Sequence, residues 1–335
     1  MLLFSKVKNR LRKPWRKAKK TFSIKKQYDW ASVGCDRKDI FDAAINYVIW
    51  GVDPKQYIIN EFYKKSHKEK RSFMTGIEGQ QIADQLKQNC TPEELSSIAN
   101  KYVFNKTYSQ FVHRDYLLSD HSSKKEVTDF ISRNKKILVK QLNNTQGKGI
   151  SLVLSDDPNL ESIVDDIIVG SYVLEEYIHQ HPVLDELNPS SVNTIRIGTA
   201  VDRGNKAHIV GACLRVGGKG KYVDNFHSGG IAYPIDVETG IVCGYGRSYT
   251  SSQKYMVHPT SQRIVLGLQI PHWEEAKASV VEAAQRSDKL TFLGWDIAIT
   301  ESGVEFIEAN IGQDPLVIQL DQIGKKKMIM DILFR

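Results

Sequence analysis

The segment from Gly294 to Asn310 constrains the fold more than any other part of the chain. Two apolar runs flank Glu301-Ser302-Gly303, a pattern typical of a three-residue hairpin loop whose glycine takes the left-handed position. In that register Thr300 pairs with Val304, and each step back along the first strand pairs with one step forward along the second. The sequence therefore predicts an antiparallel hairpin near the carboxyl end.

Three oxygen-bearing side chains fall on one face of this hairpin. Asp296 lies directly opposite Glu308 in the predicted register, and Asn310 shares the face of Glu308 because side chains alternate along a strand. Like charges directly opposite each other are destabilising unless something neutralises them. Hard oxygen ligands without His or Cys indicate Mg²⁺ or Mn²⁺. The alternative is a solvent-facing hairpin whose acids simply point at water.

A second pattern combines a strand lysine with a glycine-containing loop. Lys140 lies in a predicted strand over 137–142, and Gly147-Lys148-Gly149 follows in the next loop. Glycine lets backbone amides approach phosphates closely, so the loop could cradle them. A hairpin turn of this kind is common, however, and the spacing fits neither the P-loop nor the dinucleotide fingerprint.

Two further segments carry polar residues beside predicted strands. Arg196 stands between two isoleucines, which favours a buried arginine that needs an anionic partner. Asn193 falls on the opposite side of a regular strand, so a bulge or the strand start is needed to aim both at one site. The loop over 224–230 contains a histidine and two glycines, and could be an ordinary turn or a substrate clamp.

The charge of the chain is concentrated at its amino end. Residues 1–28 contain eleven of the 46 Lys and Arg residues and no acid, so the remaining 35 basic residues are outnumbered by 39 acidic ones. This segment could lie on an anionic leaflet as an amphipathic helix, could be a solvated extension, or, with less support, could bind nucleic acid. The chain has no apolar stretch of membrane-spanning length and no signal-peptide core, and its four scattered cysteines favour a cytoplasmic location.

The remaining pattern predicts helices first and strands later, which favours an α+β enzyme. Apolar residues recur at helical spacing from Phe41 to Ile49, and Thr91-Pro92-Glu93-Glu94 has the order of a capped helix start. We also predict a helix over Lys106–Leu118 and a hairpin whose strands cover 231–237 and 241–245.

Taken in order, these motifs resemble the ATP-grasp superfamily over residues 106–315. The specific parts are the Asp…Glu-x-Asn ending and the Asn-Thr-x-Arg strand, and segments 175–182, 191–196 and 294–296 resemble its sugar-transfer-associated branch. The resemblance implies two α+β subdomains that grip ATP, with four divisions of the chain: a basic amphipathic tail (1–28), a helical amino-terminal region (29–104), a lid subdomain (105–180) and a core subdomain with the metal site (181–335).

The resemblance also implies a role for individual residues. Many members carry a glutamate for the ribose just after the hinge, but Gln180 and His181 stand there, so the ribose contact is unassigned. The nucleotide phosphates would be held by Lys140, Lys106 and the loop Gln146, Gly147, Lys148 and Gly149, and the adenine would be framed by Glu175, Glu176, Tyr177 and Ile178. Two Mg²⁺ ions would be bound by Asp296, Glu308 and Asn310, and the transferred phosphoryl group by Arg196 together with Lys140. The acceptor substrates would be bound by Asn193, Arg196, Asn225, His227, Gly229 and Gly230.

The implied activity is ATP- and Mg²⁺-dependent amide formation between a carboxylate and an amine through an acyl phosphate. An amino acid and a sugar, sugar nucleotide or lipid-linked sugar would serve as partners, in the synthesis or decoration of surface polysaccharide. The location would be cytoplasmic, with peripheral contact to the inner face of the membrane. Two alternatives stay open from the sequence: a kinase acting on a hydroxyl group, and a non-catalytic protein that holds nucleotide or tethers a complex.

Overall fold

The computed structural model describes residues 30–142, 149–218, 226 and 229–335. The predicted tail over 1–28 lies outside these residues. No helix among the described ranges is long and apolar enough to cross a membrane.

The amino-terminal part is helical, as the sequence predicted. A short 3-10 turn (Ala31–Val33) precedes α1, and a second (Phe62–Lys64) follows α2. The helix start predicted at Thr91 is confirmed, because its side chain accepts a hydrogen bond from the Glu94 N–H and the Glu94 carboxylate accepts one from the Thr91 N–H. The helices are α1 (Arg37–Trp50), α2 (Pro54–Ile59), α3 (His67–Ser72), α4 (Gly76–Asn89), α5 (Pro92–Ala99) and α6 (Lys101–Thr107).

A four-stranded antiparallel sheet follows. Its strands are β1 (Tyr116–Leu118), β2 (Lys136–Gln141), β3 (Ile150–Leu154) and β4 (Tyr172–Glu176), in the order β1-β4-β2-β3. Helices α7 (Lys124–Asn134) and α8 (Leu160–Val169) cover it through an apolar cluster that includes Phe130 and Val164. We call this unit the small sheet.

The helix predicted over Lys106–Leu118 is wrong beyond Thr107. The helix ends there, and Tyr116–Leu118 instead pairs with β4. Pairing with a strand more than fifty residues away supplies ladder hydrogen bonds that local propensity does not reveal.

A seven-stranded antiparallel sheet, the large sheet, forms the rest of the fold. Its order is β11-β10-β5-β6-β7-β8-β9. The strands are β5 (Thr194–Val201), β6 (Ala207–Val216), β7 (Ile231–Ile235), β8 (Gly246–Ser248), β9 (Ser251–Tyr255), β10 (Phe292–Thr300) and β11 (Gly303–Ile311). The hairpin predicted over 231–245 is confirmed near its turn, where Val242 bridges Ile235 and the Cys243 N–H donates to the Pro234 carbonyl at 2.9 Å. Its second arm is shorter than predicted, because the start of β7 pairs with β8.

Helices pack on both faces of the large sheet. One face carries α10 (Trp273–Ala284), whose Trp273 and Val280 join a cluster with Ile197 and Trp295. The other carries α4, α11 (Pro315–Ile318) and α12 (Lys326–Phe334), packed around Phe292 and Cys213. The short helix α9 (Pro182–Asp185) begins just after the small sheet, where the His181 N–H donates to the Ile299 carbonyl at 2.7 Å.

Candidate active site

The carboxyl-terminal hairpin places its acids opposite each other, as the sequence predicted. Asp296 on β10 pairs with Glu308 on β11, and Asn310 lies opposite Gly294. The predicted pairing of Thr300 with Val304 is wrong: Thr300 pairs with Gly303, and a bulge after Asp296 restores the register. The loop is thus one residue shorter than expected, with Gly303 at a φ of 137°. At the bulge, Ile307 of β11 has no partner residue on β10, and this returns Asp296 and Glu308 to the predicted pairing.

Asp296 lies at the centre of a row of charges across three strands. Arg196 on β5 is its direct partner on the other side, and its guanidinium holds the Asp296 carboxylate at both oxygens, with Nη2 at 2.6 Å from Oδ2. Arg215 on β6 approaches the same oxygen at 3.3 Å. Burial alone would raise the pKa of Asp296, but the two guanidinium groups outweigh it and the pKa is lowered.

Glu308 has the opposite electrostatic character. Its pKa is raised, first by burial and then by the charge of Asp296. The Asn310 amide donates to its Oε1 at 3.3 Å. Burial and the charge of Asp296 thus disfavour the ionised form of Glu308, and the opposing effect of Arg196 and Arg215 is the smaller one.

This donor set fits a hard divalent cation. Carboxylate and amide oxygens are the groups Mg²⁺ prefers. Arg196 and Arg215 both lie beside Oδ2 of Asp296, whereas Oδ1, which Arg196 alone contacts among these two, has one further lone pair. Within the described ranges, no group of three or more His, Cys, Asp or Glu forms a metal cage. Asp296, Glu308 and Asn310 would therefore need oxygen atoms from a bound phosphate or from water to complete a coordination shell.

A second charged cluster joins the two sheets. Lys140 on β2 is buried and its ammonium lies 2.5 Å from Glu175 on β4. Glu175 also pairs with Arg114 at 3.0 Å, and Arg114 reaches across to Glu305 on β11 and donates to the Phe306 carbonyl at 2.5 Å. These cations outweigh the effect of burial and hold the pKa of Glu175 far below its ordinary value. We call Arg114, Lys140, Glu175 and Glu305 the buried ion network.

The predicted hinge residues divide into two groups. The Glu175 carboxylate lies in the buried ion network, and the Glu176 carboxylate accepts the Asp115 N–H at 3.0 Å. Tyr177 and Ile178 follow the end of β4, and the ammonium of Lys136 lies 3.4 Å from the centre of the Tyr177 ring. Tyr177 and Ile178 are therefore better placed than Glu175 to meet a ligand, and the adenine contact itself stays a prediction.

The structure brings a lysine to the site that the sequence argument missed. Lys101 begins α6 and donates to the Gln141 carbonyl at 3.1 Å. Burial lowers its pKa, and Glu308 and Lys140 are among the charges that act on it. Lys106, which was predicted instead, lies exposed in the last turn of α6 with its ammonium 5.0 Å from the Tyr102 ring centre. The only signal in the sequence is Asn100, a residue type that favours helix starts and here caps α6, so that Lys101 is its first residue.

Arg215 was also missed, although its signal was present. It stands between Leu214 and Val216, as Arg196 stands between two isoleucines. Both arginines are directed at one carboxylate because β5 and β6 are neighbours.

The acceptor-side predictions lie partly outside the described residues. Gln146, Gly147 and Lys148 of the glycine loop, and Asn225 and His227, are among the residues that are not described. Gly149 closes the first loop at a φ of 71°, and Gly229 and Gly230 precede β7, with Gly229 at a φ of 101°.

Hydrogen bonds within the protein hold the side chain of Asn193. It is fully buried, and its amide donates to the Leu184 and Asn188 carbonyls at 2.8 and 3.1 Å. Gln180 accepts the Asn193 N–H at 2.8 Å. These bonds fix the start of β5, from which Arg196 projects, so a direct contact of Asn193 with substrate stays a prediction.

The family follows from the sequence match over these elements. The model of the sugar-transfer associated ATP-grasp family matches residues 81–330, which include both charged clusters. The chain belongs to that family. Its α+β architecture is the ATP-grasp fold, preceded by an amino-terminal helical region. None of the curated proteins matches the chain.

Solved structures of ATP-grasp enzymes resemble the chain at low identity. The ligase PsnB, complexed with a phosphomimetic variant of its minimal precursor, Mg and ADP, is 12% identical over 72% of this chain and 60% of its own, with a TM-score of 0.45. D-alanyl-alanine synthetase A from Vibrio cholerae O1 biovar eltor is 13% identical over 68% and 60%, with a TM-score of 0.43. N5-carboxyaminoimidazole synthetase from Staphylococcus aureus, complexed with ADP, is 11% identical over 72% and 57%, with a TM-score of 0.45. The chain thus spans less than two thirds of the length of each.

Proposed function

We propose that this protein is an ATP- and Mg²⁺-dependent ligase that joins a carboxylate to an amine, in the synthesis or decoration of surface polysaccharide. One observation carries the proposal. The acids Asp296 and Glu308 lie opposite each other beside Arg196, and the charge of Glu308 acts on Lys101. Family membership supports ATP as the co-substrate.

Each residue group has a role in this proposal. Lys140, Lys101 and the loop over 146–149 would bind the nucleotide phosphates, with Lys106 at the periphery. Glu175, Glu176, Tyr177 and Ile178 would frame the adenine. Asp296, Glu308 and Asn310 would hold one or two Mg²⁺ ions, which supply positive charge beside the phosphates when bound. The acceptors would meet Arg196 and residues near 193 and 225–230.

The proposed chemistry needs no nucleophilic side chain. A carboxylate oxygen of the substrate attacks the γ-phosphorus, the bond to the β-phosphate oxygen breaks, and ADP leaves. The amine nitrogen then attacks the acyl carbon, the C–O bond to phosphate breaks, and the nitrogen loses a proton as the amide forms. Because phosphoryl transfer depends mainly on positioning and charge, Lys140 and Arg196 supply what the transferring group needs.

A product assay separates ligation from phosphorylation. We expect ADP release to require both a carboxylate and an amine when the protein is incubated with ATP, Mg²⁺ and pools of amino acids and amino sugars or sugar nucleotides. Mass spectrometry should then find a product lighter by one water than the sum of the two acceptors. ADP release that needs only a hydroxyl compound, with a product carrying a phosphoryl group, would show a kinase.

The raised pKa of Glu308 predicts a pH-dependent effect of Mg²⁺ on stability. A carboxyl group whose pKa is higher in the folded state destabilises the fold as pH rises through the interval between its unfolded and folded values. A cation bound to the ionised carboxylate cancels this loss of folding stability. We therefore expect the melting temperature with a non-hydrolysable ATP analogue to rise on adding Mg²⁺, and the increase to grow with pH across this interval.

The comparison sample contains the analogue with EDTA at matched ionic strength. An Mg²⁺ effect that is flat over this pH range would contradict the assignment of Glu308 as a ligand. Nucleotide alone should raise the melting temperature by an amount that does not follow the titration of Glu308.

We also propose that the protein works at the cytoplasmic face of the membrane. Eleven basic and no acidic residues in 1–28 support attraction to anionic lipid.

A further inference from the structure

Gln313 is a buried glutamine whose side-chain oxygen has no donor. It lies two residues after the end of β11 and is fully buried. Its Nε2 donates to the Asp314 carbonyl at 3.3 Å, whereas its Oε1 is shielded from water and accepts no hydrogen bond from the described residues. A buried carbonyl without a donor costs folding free energy. This oxygen therefore destabilises the ligand-free fold.

Gln319, six residues later, shows how a structural glutamine is bonded in the same part of the fold. It is equally buried. Its Oε1 accepts the Met74 and Lys325 N–H groups at 2.9 and 3.0 Å. Its Nε2 donates to the Met74 and Pro315 carbonyls at 3.0 and 2.8 Å. Because Gln313 lacks such a set of bonds, stabilisation of the fold does not account for its side chain.

Two paired glycines make room for Gln313 within the large sheet. Gly294 on β10 lies opposite Gly198 on β5. A Cβ atom on Gly294 would stand 1.8 Å from Gln313 Oε1, and one on Gly198 would stand 3.2 Å from Gln313 Cγ. Glycine inside a strand weakens it and often marks the close approach of another group. Here the group that approaches is the Gln313 side chain.

Arg196 of the candidate active site reaches the same place. The Cβ position on Gly294 also lies 3.2 Å from Arg196 Nη1, so Nη1 and Gln313 Oε1 are at most 5.0 Å apart, the sum of the two distances. Arg196 donates to Asp296 through Nε and Nη2, which leaves the Nη1 hydrogens for another acceptor. The reverse orientation of the Gln313 amide would set its NH₂ group against the guanidinium, donor against donor.

A cation bound to Asp296 would change the surroundings of Arg196. Arg196 Nε contacts Oδ1 of Asp296, the oxygen with a lone pair left for a metal, so the cation and the guanidinium would touch the same atom. Like charges at such a distance repel each other. Gln313 Oε1 offers the guanidinium a neutral acceptor close by. A hydrogen bond of about 2.9 Å would require Nη1 to move by no more than about 2 Å.

We propose that Gln313 is a positioning residue for Arg196: when a divalent cation binds Asp296, the guanidinium turns toward Gln313, and Nη1 donates a hydrogen bond to Oε1. This bond stabilises the orientation of Arg196 that leaves the Asp296 carboxylate to the cation. It also supplies the donor that Oε1 lacks in the ligand-free fold. The inference rests on the proposed function, because it requires the metal site at Asp296.

The test measures two properties of the full chain: Mn²⁺ affinity with a non-hydrolysable ATP analogue, by electron paramagnetic resonance of the free ion, and urea unfolding without ligands. Gln313→Met keeps a side chain of similar length and removes the oxygen. We expect it to bind Mn²⁺ at least about tenfold more weakly than wild type, as loss of an outer-shell partner does. Its urea midpoint should equal or exceed that of wild type, because the unpaired carbonyl is gone.

Gln319→Met is the matched control, with the opposite expectation. It removes a fully bonded amide, so its urea midpoint should fall while its Mn²⁺ affinity stays that of wild type. If Gln313→Met behaved in this way, its role would be structural and the proposal would be wrong.

A double-variant comparison separates action through Arg196 from direct contact with the metal. In an Arg196→Met background, Gln313→Met should not weaken Mn²⁺ binding further, because the group that it positions is absent. A tenfold loss that persists in this background would overturn the proposal and make Gln313 a metal ligand. Equal Mn²⁺ affinity of Gln313→Met and wild type would overturn this inference alone. Failure of wild type to bind Mn²⁺ with the nucleotide analogue would remove the metal site, and with it both this inference and the proposed function.

Discussion

Glu308→Gln is expected to lower turnover at least about a hundredfold while leaving the fold as stable as wild type or more so. The activity loss follows because a direct metal ligand should matter at least as much as an outer-shell partner, whose removal costs about 10–100-fold. The stability is preserved because Glu308 is destabilised by burial and by Asp296, as its raised pKa shows. Glutamine keeps the shape and removes the repulsion.

The measurements are ADP release at saturating ATP and Mg²⁺, and urea unfolding without ligands. Glu301→Gln is the control, because Glu301 is exposed in the loop of the same hairpin, and neither quantity should change. A Glu308→Gln protein with wild-type turnover would remove the metal assignment. Asp296→Asn is a poorer probe, since it would remove the charge that Arg196 and Arg215 both contact.

Arg114→Met is expected to lower the free energy of unfolding by about 3–5 kcal/mol, the cost of breaking a buried ion pair on one side. Arg114 is 6% exposed, and it pairs with two carboxylates, Glu175 at 3.0 Å and Glu305. Methionine fills much of the volume but leaves Glu305 without its cation. Glu175 would keep Lys140 and the Asn105 amide, so part of its charge stays compensated.

Arg133→Met is the matched control for this loss. Arg133 pairs with Asp115 at 3.0 Å, but both side chains are more than half exposed, so its removal should cost less than about 1 kcal/mol. Arg114→Lys should recover only part of the stability, because a single ammonium cannot copy the fork that reaches Glu175, Glu305 and the Phe306 carbonyl. Equal urea midpoints for Arg114→Met and wild type would show that the buried ion network does not stabilise the fold.

Several features could be predicted from the sequence because they depend on short stretches of chain. The pairing of Asp296 with Glu308 follows from the alternation of side chains along two strands joined by a short loop. It is observed although the loop is one residue shorter than predicted, because a bulge compensates for the difference. The capped helix start at Thr91 needs only four residues. The order of motifs along 106–315 was sufficient for the family, since the matching model covers 81–330.

The tertiary structure decided which charges meet. No local pattern states that β10 lies between β11 and β5, yet that order makes Arg196 the partner of Asp296. The same holds for Lys101, which joins the site through the packing of α6, and for Phe41, which is exposed because Ala43 on the opposite side of α1 packs into the core. The sequence by itself determined the elements, their local register and the family. Contacts between distant segments decide how each buried charge is neutralised and which apolar side chains are exposed. These contacts contribute free energy only once the chain has folded, so no short stretch of sequence reveals them.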